Sequence, residues 1–232
     1  RNKLEYKNDK GVEQMNYRKC MVLLTAVLLS GYCAGSQPVA EVTAEEKKLV
    51  DELYLKGIAA EESNDYVVAV KSLEALELLK KQSAPDKNTL ATAYETLCSA
   101  YLHLQNDREA EQYGLKALAL KKELYGERHL ELFNIECLLG SIYNRLNKRD
   151  TALQHYSHAR IIIEQNPEIV KVTLRIWLYR QLVELYFSTN RQKEFEESLR
   201  MLVSLCKANP SHTNNLEELY TKLAVMAEIH GK

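Results

Sequence analysis

Apolar residues recur along most of this chain at the 3.6-residue period of amphipathic helices. The first helix is predicted from about Ala44 to Glu62, with an apolar face formed by Leu49, Leu53, Gly57 and Ala60. Ser63-Asn64-Asp65 ends this helix, and its Asn and Asp side chains are expected to cap the next one. A second amphipathic helix follows, and Pro85 closes the pair. The pattern therefore predicts two antiparallel helices joined by a short polar turn.

This helix pair recurs along the chain. Small or aromatic residues nine positions apart mark each pair and step by 41, 42 and 43 residues: Ala60/Ala69, Tyr101/Ala110, Tyr143/Ala152 and Tyr186/Phe195. A fixed period in this range predicts a repeat array, whose units stack because one unit cannot bury its apolar face alone. We predict units at about 44–85, 87–128, 130–167 and 169–210, and a half unit at 213–232.

The third unit carries a recognisable signature: Leu139-Gly140-x-x-Tyr143, then Ala152-x-x-x-Tyr156, then Pro167. Across residues 44–232 the units thereby resemble the tetratricopeptide repeat (TPR) family. Several positions depart from the family pattern, among them Lys56, Ala60 and Cys98 in the first two units and Glu136 and Phe195 later. Glu136 stands where the family favours Trp, and Phe195 stands where it favours Ala, so looser or shifted helix packing is expected at Phe195.

The period near 42 residues is longer than the 34 of ordinary TPR units. It is similar to the long-period variant of kinesin light chains and many bacterial TPR proteins. HEAT-type arrays share this period, but the Leu-Gly-x-x-Tyr and Ala signature argues against them. The resemblance implies an all-α fold, a right-handed α-solenoid of antiparallel helix pairs, with a concave groove lined by the first helix of each unit.

Composition supports this class. Of the 232 residues, 46% are hydrophobic, and only 8 Gly and 4 Pro occur, which favours helices over a turn-rich β fold. The formal net charge is −1, with no basic block, so the chain carries no electrostatic footprint for nucleic acid.

The N-terminal region has a different character. Residues 15–36 contain a short basic head, a mostly apolar run from Cys20 to Cys33 and a small-residue exit. This layout predicts a secretory signal peptide, because the run is too short to span a bilayer. Residues 1–14 lie before the first methionine, Met15, and would then be an upstream extension without structure. The alternative is an N-terminal helix packed on the solenoid.

Such a signal can be processed in two ways. Cleavage after Ser36 would release a free exported protein. Cys33 could instead carry a lipid, although Tyr32 precedes it where bacterial lipoprotein signals place Gly, Ala or Ser. The predicted location is accordingly the periplasm or the membrane of a bacterial envelope, with a lipid anchor as the only predicted contact with the membrane.

Candidate chemistry is sparse. His155 and His158 lie three residues apart on one helix, but two ligands without a third are a weak metal signal. The five cysteines include no CxxC, and Cys98 is expected to be a buried free thiol. No nucleophile–base constellation or phosphate loop occurs. We therefore expect no enzyme activity, no cofactor and no metal.

The resemblance also implies which side chains line the groove. By register they are Asp51, Tyr54, Ile58, Thr92, Glu95, Ser99, Asn134, Cys137, Ser141, Trp177, Arg180, Glu184 and Phe187. Trp177 and Arg180 are of the types that commonly anchor interfaces, so we predict that both contact a partner peptide. The alternative is that Trp177 only packs against the preceding unit.

The predicted function is that of an exported TPR scaffold or adaptor that binds a protein or peptide in its groove, in an oligomeric state that the sequence leaves open. The alternative is the extracytoplasmic sensing region of a larger envelope signalling protein, a histidine kinase or DNA-binding regulator, cut at its C-terminus. A downstream apolar run of about 20 residues would favour that sensor.

Overall fold

The computed structural model describes residues 44–83, 86–209 and 221. The predicted signal at 15–36 with Cys33, the extension at 1–14, and the half unit at 213–232 except for residue 221 lie outside the described residues. Within the described part the helices are α1 (Ala44–Glu62), α2 (Tyr66–Ser83), α3 (Lys87–His103), α4 (Asp107–Tyr125), α5 (Phe133–Arg145), α6 (Arg149–Gln165), α7 (Val172–Ser188) and α8 (Gln192–Ala208). A short 3₁₀ turn, Leu130–Leu132, precedes α5. None of these helices is long and apolar enough to cross a bilayer.

The helices pack as four successive pairs. The most extensive packing is within the pairs α1–α2, α3–α4, α5–α6 and α7–α8, and each pair also packs on the next along the chain. In addition, α3 contacts both α1 and α5, so the first helices of the first three pairs lie side by side in one layer. This arrangement confirms the predicted all-α solenoid of helix pairs.

The turn inside each pair is built in the same way four times. Its central residue has a positive φ near 60°, at Asn64, Gln105, Asn147 and Asn190. Three of the four are asparagine, the type that adopts this left-handed conformation most readily after glycine. The next residue donates its N–H five positions back, as in the Schellman motif that ends helices. Local backbone chemistry therefore makes four equal turns.

These turns explain the nine-residue spacing. The first residue of each marker pair accepts the Schellman bond through its carbonyl; for example, the Lys148 N–H donates to Tyr143 at 2.8 Å. The second residue of each pair donates the first hydrogen bond of the following helix, as Ala152 does to Lys148 at 3.0 Å. The nine-residue spacing of the marker pairs is thus the length of one helix–turn–helix junction. Side-chain capping is less general than this. In the first junction the Val68 N–H bonds to the Asp65 carboxylate, but the residues that cap α4, α6 and α8 show no side-chain cap bond.

Small residues allow the paired helices to approach closely. A Cβ atom on Gly140 would lie 2.5 Å from the Tyr156 ring, and one on Gly57 would lie 2.5 Å from Leu73. Tyr156 and Leu73 fill that space and are almost completely buried. In the fourth pair Phe195 stands where the other pairs have alanine at the start of the second helix. Its ring is fully buried, with its centroid 5.8 Å from that of Phe187.

Candidate functional site

An open cleft of about 490 Å³ crosses the layer of first helices. Its volume lies within the usual range of ligand sites. Each of α1, α3, α5 and α7 contributes to it, together with Lys121 of α4 and Glu131 of the 3₁₀ turn. The lining side chains are Ile58, Glu61, Thr92, Glu95, Thr96, Ser99, Lys121, Glu131, Phe133, Asn134, Cys137, Leu138, Ser141, Leu174 and Trp177.

The structure brings most of the predicted groove residues together. Those that line the cleft are Ile58, Thr92, Glu95, Ser99, Asn134, Cys137, Ser141 and Trp177. That they bind a partner stays a prediction, but their register positions do place them on one surface.

The other predicted groove residues lie outside this lining: Asp51, Tyr54, Arg180, Glu184 and Phe187. Tyr54 is half-buried and packs against the core. Arg180 is half-buried and lies close enough to the Cys206 thiol to lower its pKa, against the larger opposing effect of burial. Glu184 and Phe187 are exposed beyond the cleft on the same helix, α7. Arg180 and Trp177 therefore face different surroundings, although they lie one turn apart.

Trp177 packs against the preceding pair and is also exposed to the cleft. Its indole packs edge-on against Tyr156 of the preceding pair, with ring centroids 5.9 Å apart and planes at 78°. At the same time 37% of Trp177 remains exposed. Tyr156 is itself held in place, since its hydroxyl lies 3.0 Å from that of Ser141. The indole is consequently held by its own solenoid while it presents a face to the cleft.

A buried ion cluster forms the floor of the cleft. The Lys121 ammonium donates to the Glu95 carboxylate and, at 2.9 Å, to the backbone carbonyl of Glu131. The Glu131 carboxylate lies 3.7 Å from the same ammonium. Only 5% of Lys121 is exposed. One cation therefore lies beneath the cleft and holds the turn before α5 against α3.

Sequence reasoning missed Lys121, although a signal for it exists. Ala110, Gly114 and Ala117 form the buried stripe of α4, and Lys121 continues that stripe at helical spacing. A lysine in such a position must be paired when it is buried. The partner could not be read in the same way, because Glu95 belongs to a different helix.

Burial dominates the chemistry of Glu95. Desolvation raises the pKa of this carboxyl, and the Lys121 ammonium opposes the rise with a smaller effect. Asn134, across the cleft on α5, also donates a hydrogen bond to it. Glu95 thus acts mainly as a structural group that joins α3, α4 and α5.

The two ends of the cleft differ in chemistry. At the α1 end the Ser99 hydroxyl donates to the Glu61 carboxylate at 2.9 Å. The Glu131 carboxylate, more than half exposed, lies farther along the cleft on the 3₁₀ turn that packs against α4, α5 and α6. At the α7 end Leu174 and Trp177 are both partly exposed. The α1 end thus presents a carboxylate, and the α7 end presents apolar surface.

The two histidines lie beside a buried carboxylate. The His155 Nδ1 atom lies 2.7 Å from the carboxylate of Glu136, and the His158 Nδ1 atom lies 3.5 Å from it. Glu136, the departure from the family's Trp, is almost completely buried. In the part of the chain that the structure describes, no group of three His, Cys, Asp or Glu side chains could hold a metal ion. The pair therefore satisfies a buried carboxylate.

The cysteines that the structure describes are buried free thiols: Cys98, Cys137 and Cys206. Desolvation raises the pKa of Cys98 to about 12. Burial raises the pKa of Cys137 as well. These thiols are packing groups, as expected for Cys98.

Comparison with known proteins supports the repeat assignment. The tetratricopeptide repeat family model matches residues 89–165, which include α3 to α6. A search of curated proteins gave no match.

Solved structures extend the likeness over more of the chain. The crystal structure of BtubC (BKLC) from P. vanneervenii matches with a TM-score of 0.63 at 17% identity, covering 84% of this chain and 75% of that one. A Podosopora anserina structure described as kinesin light chain, with nearly identical TPR-like repeats, matches with a TM-score of 0.60 at 13% identity, covering 82% of this chain and 100% of that one. A Rap protein complexed with Competence and Sporulation Factor matches with a TM-score of 0.56 at 14% identity, covering 78% of this chain and 52% of Rap.

At such low identity the structural matches show the fold alone, while the family match rests on the sequence of the central repeats. Together with the four helix pairs, they show that residues 89–165 are tetratricopeptide repeats and that the described part of the chain has the TPR-like solenoid fold.

Proposed function

We propose that the chain is a non-catalytic scaffold that binds a segment of another protein in the cleft across its first helices. One observation carries the proposal. Side chains from four successive first helices meet in one open cleft of about 490 Å³. TPR solenoids in general serve as protein-interaction scaffolds, and repeat arrays use such extended surfaces for binding.

Two further features support a bound segment. The Rap structure, which shares this fold, was solved with Competence and Sporulation Factor bound, so the architecture accommodates such a complex. Within the cleft, Trp177 is a large aromatic side chain held in place by Tyr156, and aromatic anchors of this kind contribute disproportionately to binding. A preorganised anchor loses little conformational entropy when the partner binds.

The test is to block the cleft with a bulky side chain. Asn134 is exposed and lines the cleft on α5, so Asn134→Trp fills the cleft with an indole, at the loss of the Asn134 hydrogen bond to Glu95. Asn144, exposed on the same helix but outside the lining, supplies the matched control Asn144→Trp. Partners captured by the full chain and identified by mass spectrometry should be lost with Asn134→Trp and kept with Asn144→Trp. Equal capture by both variants would place binding elsewhere.

We propose in addition that the chain is exported. This proposal rests on residues 15–36, with their basic head, apolar run and small-residue exit. Fractionation of cells that express the natural gene should find the protein outside the cytoplasm, and Cys33→Ser should release it from membranes only if Cys33 carries a lipid. Recovery of the chain with its leader intact in the cytoplasm would contradict export.

A further inference from the structure

We infer that the cleft selects segments that carry an arginine or lysine at one end and a large apolar side chain at the other. This inference rests on the proposed function and adds the chemistry of the partner. It follows from how charge and apolar surface are divided along the cleft.

The charges of the cleft are unequal. Among the described residues that line it, the three carboxylates of Glu61, Glu95 and Glu131 stand against the one ammonium of Lys121. That ammonium is buried and already paired with Glu95 and Glu131. A group entering from solvent therefore meets the carboxylates of Glu61 and Glu131 rather than the cation beneath them. Negative lining of this kind favours a positively charged partner and disfavours an acidic one.

Glu61 is held ready for such a contact. Its Oε1 atom accepts the Ser99 hydroxyl at 2.9 Å, which fixes the carboxylate across the gap between α1 and α3. A carboxylate has further acceptor positions beyond this one bond. A guanidinium or ammonium group can use them without displacing the serine.

The apolar end sets the second requirement. Leu138, Leu174 and the exposed face of Trp177 line the cleft between α5 and α7. Packed helices lie 8–10 Å apart. Three such spacings separate Glu61 of α1 from Trp177 of α7, so this distance is about 24–30 Å. An extended chain rises roughly 3.3 Å per residue, so the basic and apolar side chains should be about seven to nine residues apart.

The experiment is a selection from a displayed library of random dodecapeptides, with the full 232-residue chain as bait. Selected peptides are then synthesised with a fluorescent label, and their affinities are measured by polarisation at low and high salt. We expect enrichment of Arg or Lys separated by about seven to nine residues from Trp, Phe, Leu or Met. Affinity should fall severalfold when the ionic strength is raised well above about 0.1 M, where the Debye length becomes shorter than about 10 Å.

Charge-neutralising variants locate the basic contact. The double variant Glu61→Gln with Glu131→Gln keeps side-chain shape and should weaken binding about tenfold, since each partly exposed contact contributes modestly. Glu197→Gln removes the same charge from an exposed position of α8, outside the cleft, and should leave affinity unchanged. Equal affinities for the double variant and the control would overturn the inference.

The outcomes also separate this inference from the proposed function. Enriched peptides that lose binding with Asn134→Trp but carry no basic preference, or an acidic one, would leave the cleft as the binding site and refute its preference for cations. A library with no enrichment above the unselected pool would refute peptide binding in the cleft, and the inference with it.

Discussion

Replacing Gly140 by alanine tests whether close helix approach governs the stability of this solenoid. The added Cβ atom would lie 2.5 and 2.6 Å from two carbons of the Tyr156 ring, whereas carbon atoms pack best about 3.5–4.0 Å apart. The ring is rigid and fully buried, and its hydroxyl is engaged with Ser141. The ring cannot turn away, so α5 and α6 must separate or the ring must move by about 1 Å.

Two opposing effects decide the magnitude. Overpacking a core costs about 1–3 kcal/mol, and a rigid aromatic neighbour argues for the upper part of that range. Alanine gains about 1 kcal/mol over glycine in helix propensity. We therefore expect Gly140→Ala to lower the free energy of unfolding by about 1–2 kcal/mol. For a folded region of this size, the melting temperature should fall by about 2–8 °C.

The matched control is Gly114→Ala. Its Cβ atom would meet the end of the Leu139 side chain at 2.8 Å and the Cys98 sulfur at 3.0 Å. The leucine methyl can move by rotation, so the clash is milder and helix propensity should offset most of it. Urea denaturation followed by circular dichroism measures both variants. If Gly140→Ala proved as stable as the parent chain, or more stable, propensity alone would govern this position and the close-packing argument would be refuted.

Further predictions concern burial and charge. Lys121→Met should lower the free energy of unfolding by about 3 kcal/mol, because it leaves the buried Glu95 carboxylate without its cation. The control Lys87→Met, at an exposed ion pair, should lower it by less than about 1 kcal/mol. Similar losses for the two variants in urea denaturation would contradict this. Asp86→Ala removes the cap of α3 and should cost about 1 kcal/mol at neutral pH. Hydrogen bonds from Thr89 and Asn88 lower the pKa of Asp86 in the folded chain. The stabilisation by this cap is therefore complete above the unfolded pKa of about 3.9 and is lost as pH falls through the lower folded value. If the stability difference between Asp86→Ala and the parent chain stayed constant between pH 7 and pH 2, the capping role of the carboxylate would be refuted. Cys98, with its pKa raised to about 12, should resist iodoacetamide at pH 8 in the folded chain and react after unfolding, as followed by peptide mass spectrometry; rapid alkylation without denaturant would show that the thiol is accessible.

The pattern of the chain predicted the helices well where the local signal is strong. The first helix was expected from about Ala44 to Glu62, and α1 has those bounds. The turn around Asn64 could also be predicted, because asparagine tolerates the left-handed backbone that such a turn requires. Both features depend on residues a few positions apart, so the sequence displays them directly.

Side-chain surroundings were predicted less well. Register placed Ser99 and Ser141 in the cleft, and the structure agrees. The same register also included Arg180, which instead lies beside the Cys206 thiol of the neighbouring helix. A helix face is wide, and which part of it meets the cleft depends on how the next pair packs against it. Phe195 shows the same limit, since its fully buried ring is accommodated without leaving the solenoid pattern.

The sequence by itself determined the fold class, the period and the turns, because helix periodicity and turn chemistry are local properties. Only the tertiary structure decided that Lys121 is buried against Glu95, twenty-six positions away, and that His155 and His158 lie beside the buried Glu136. The division of the cleft into a carboxylate end and an apolar end likewise arises from four separate helices. Long side chains can reach several neighbours, and the packing of whole helix pairs selects among them.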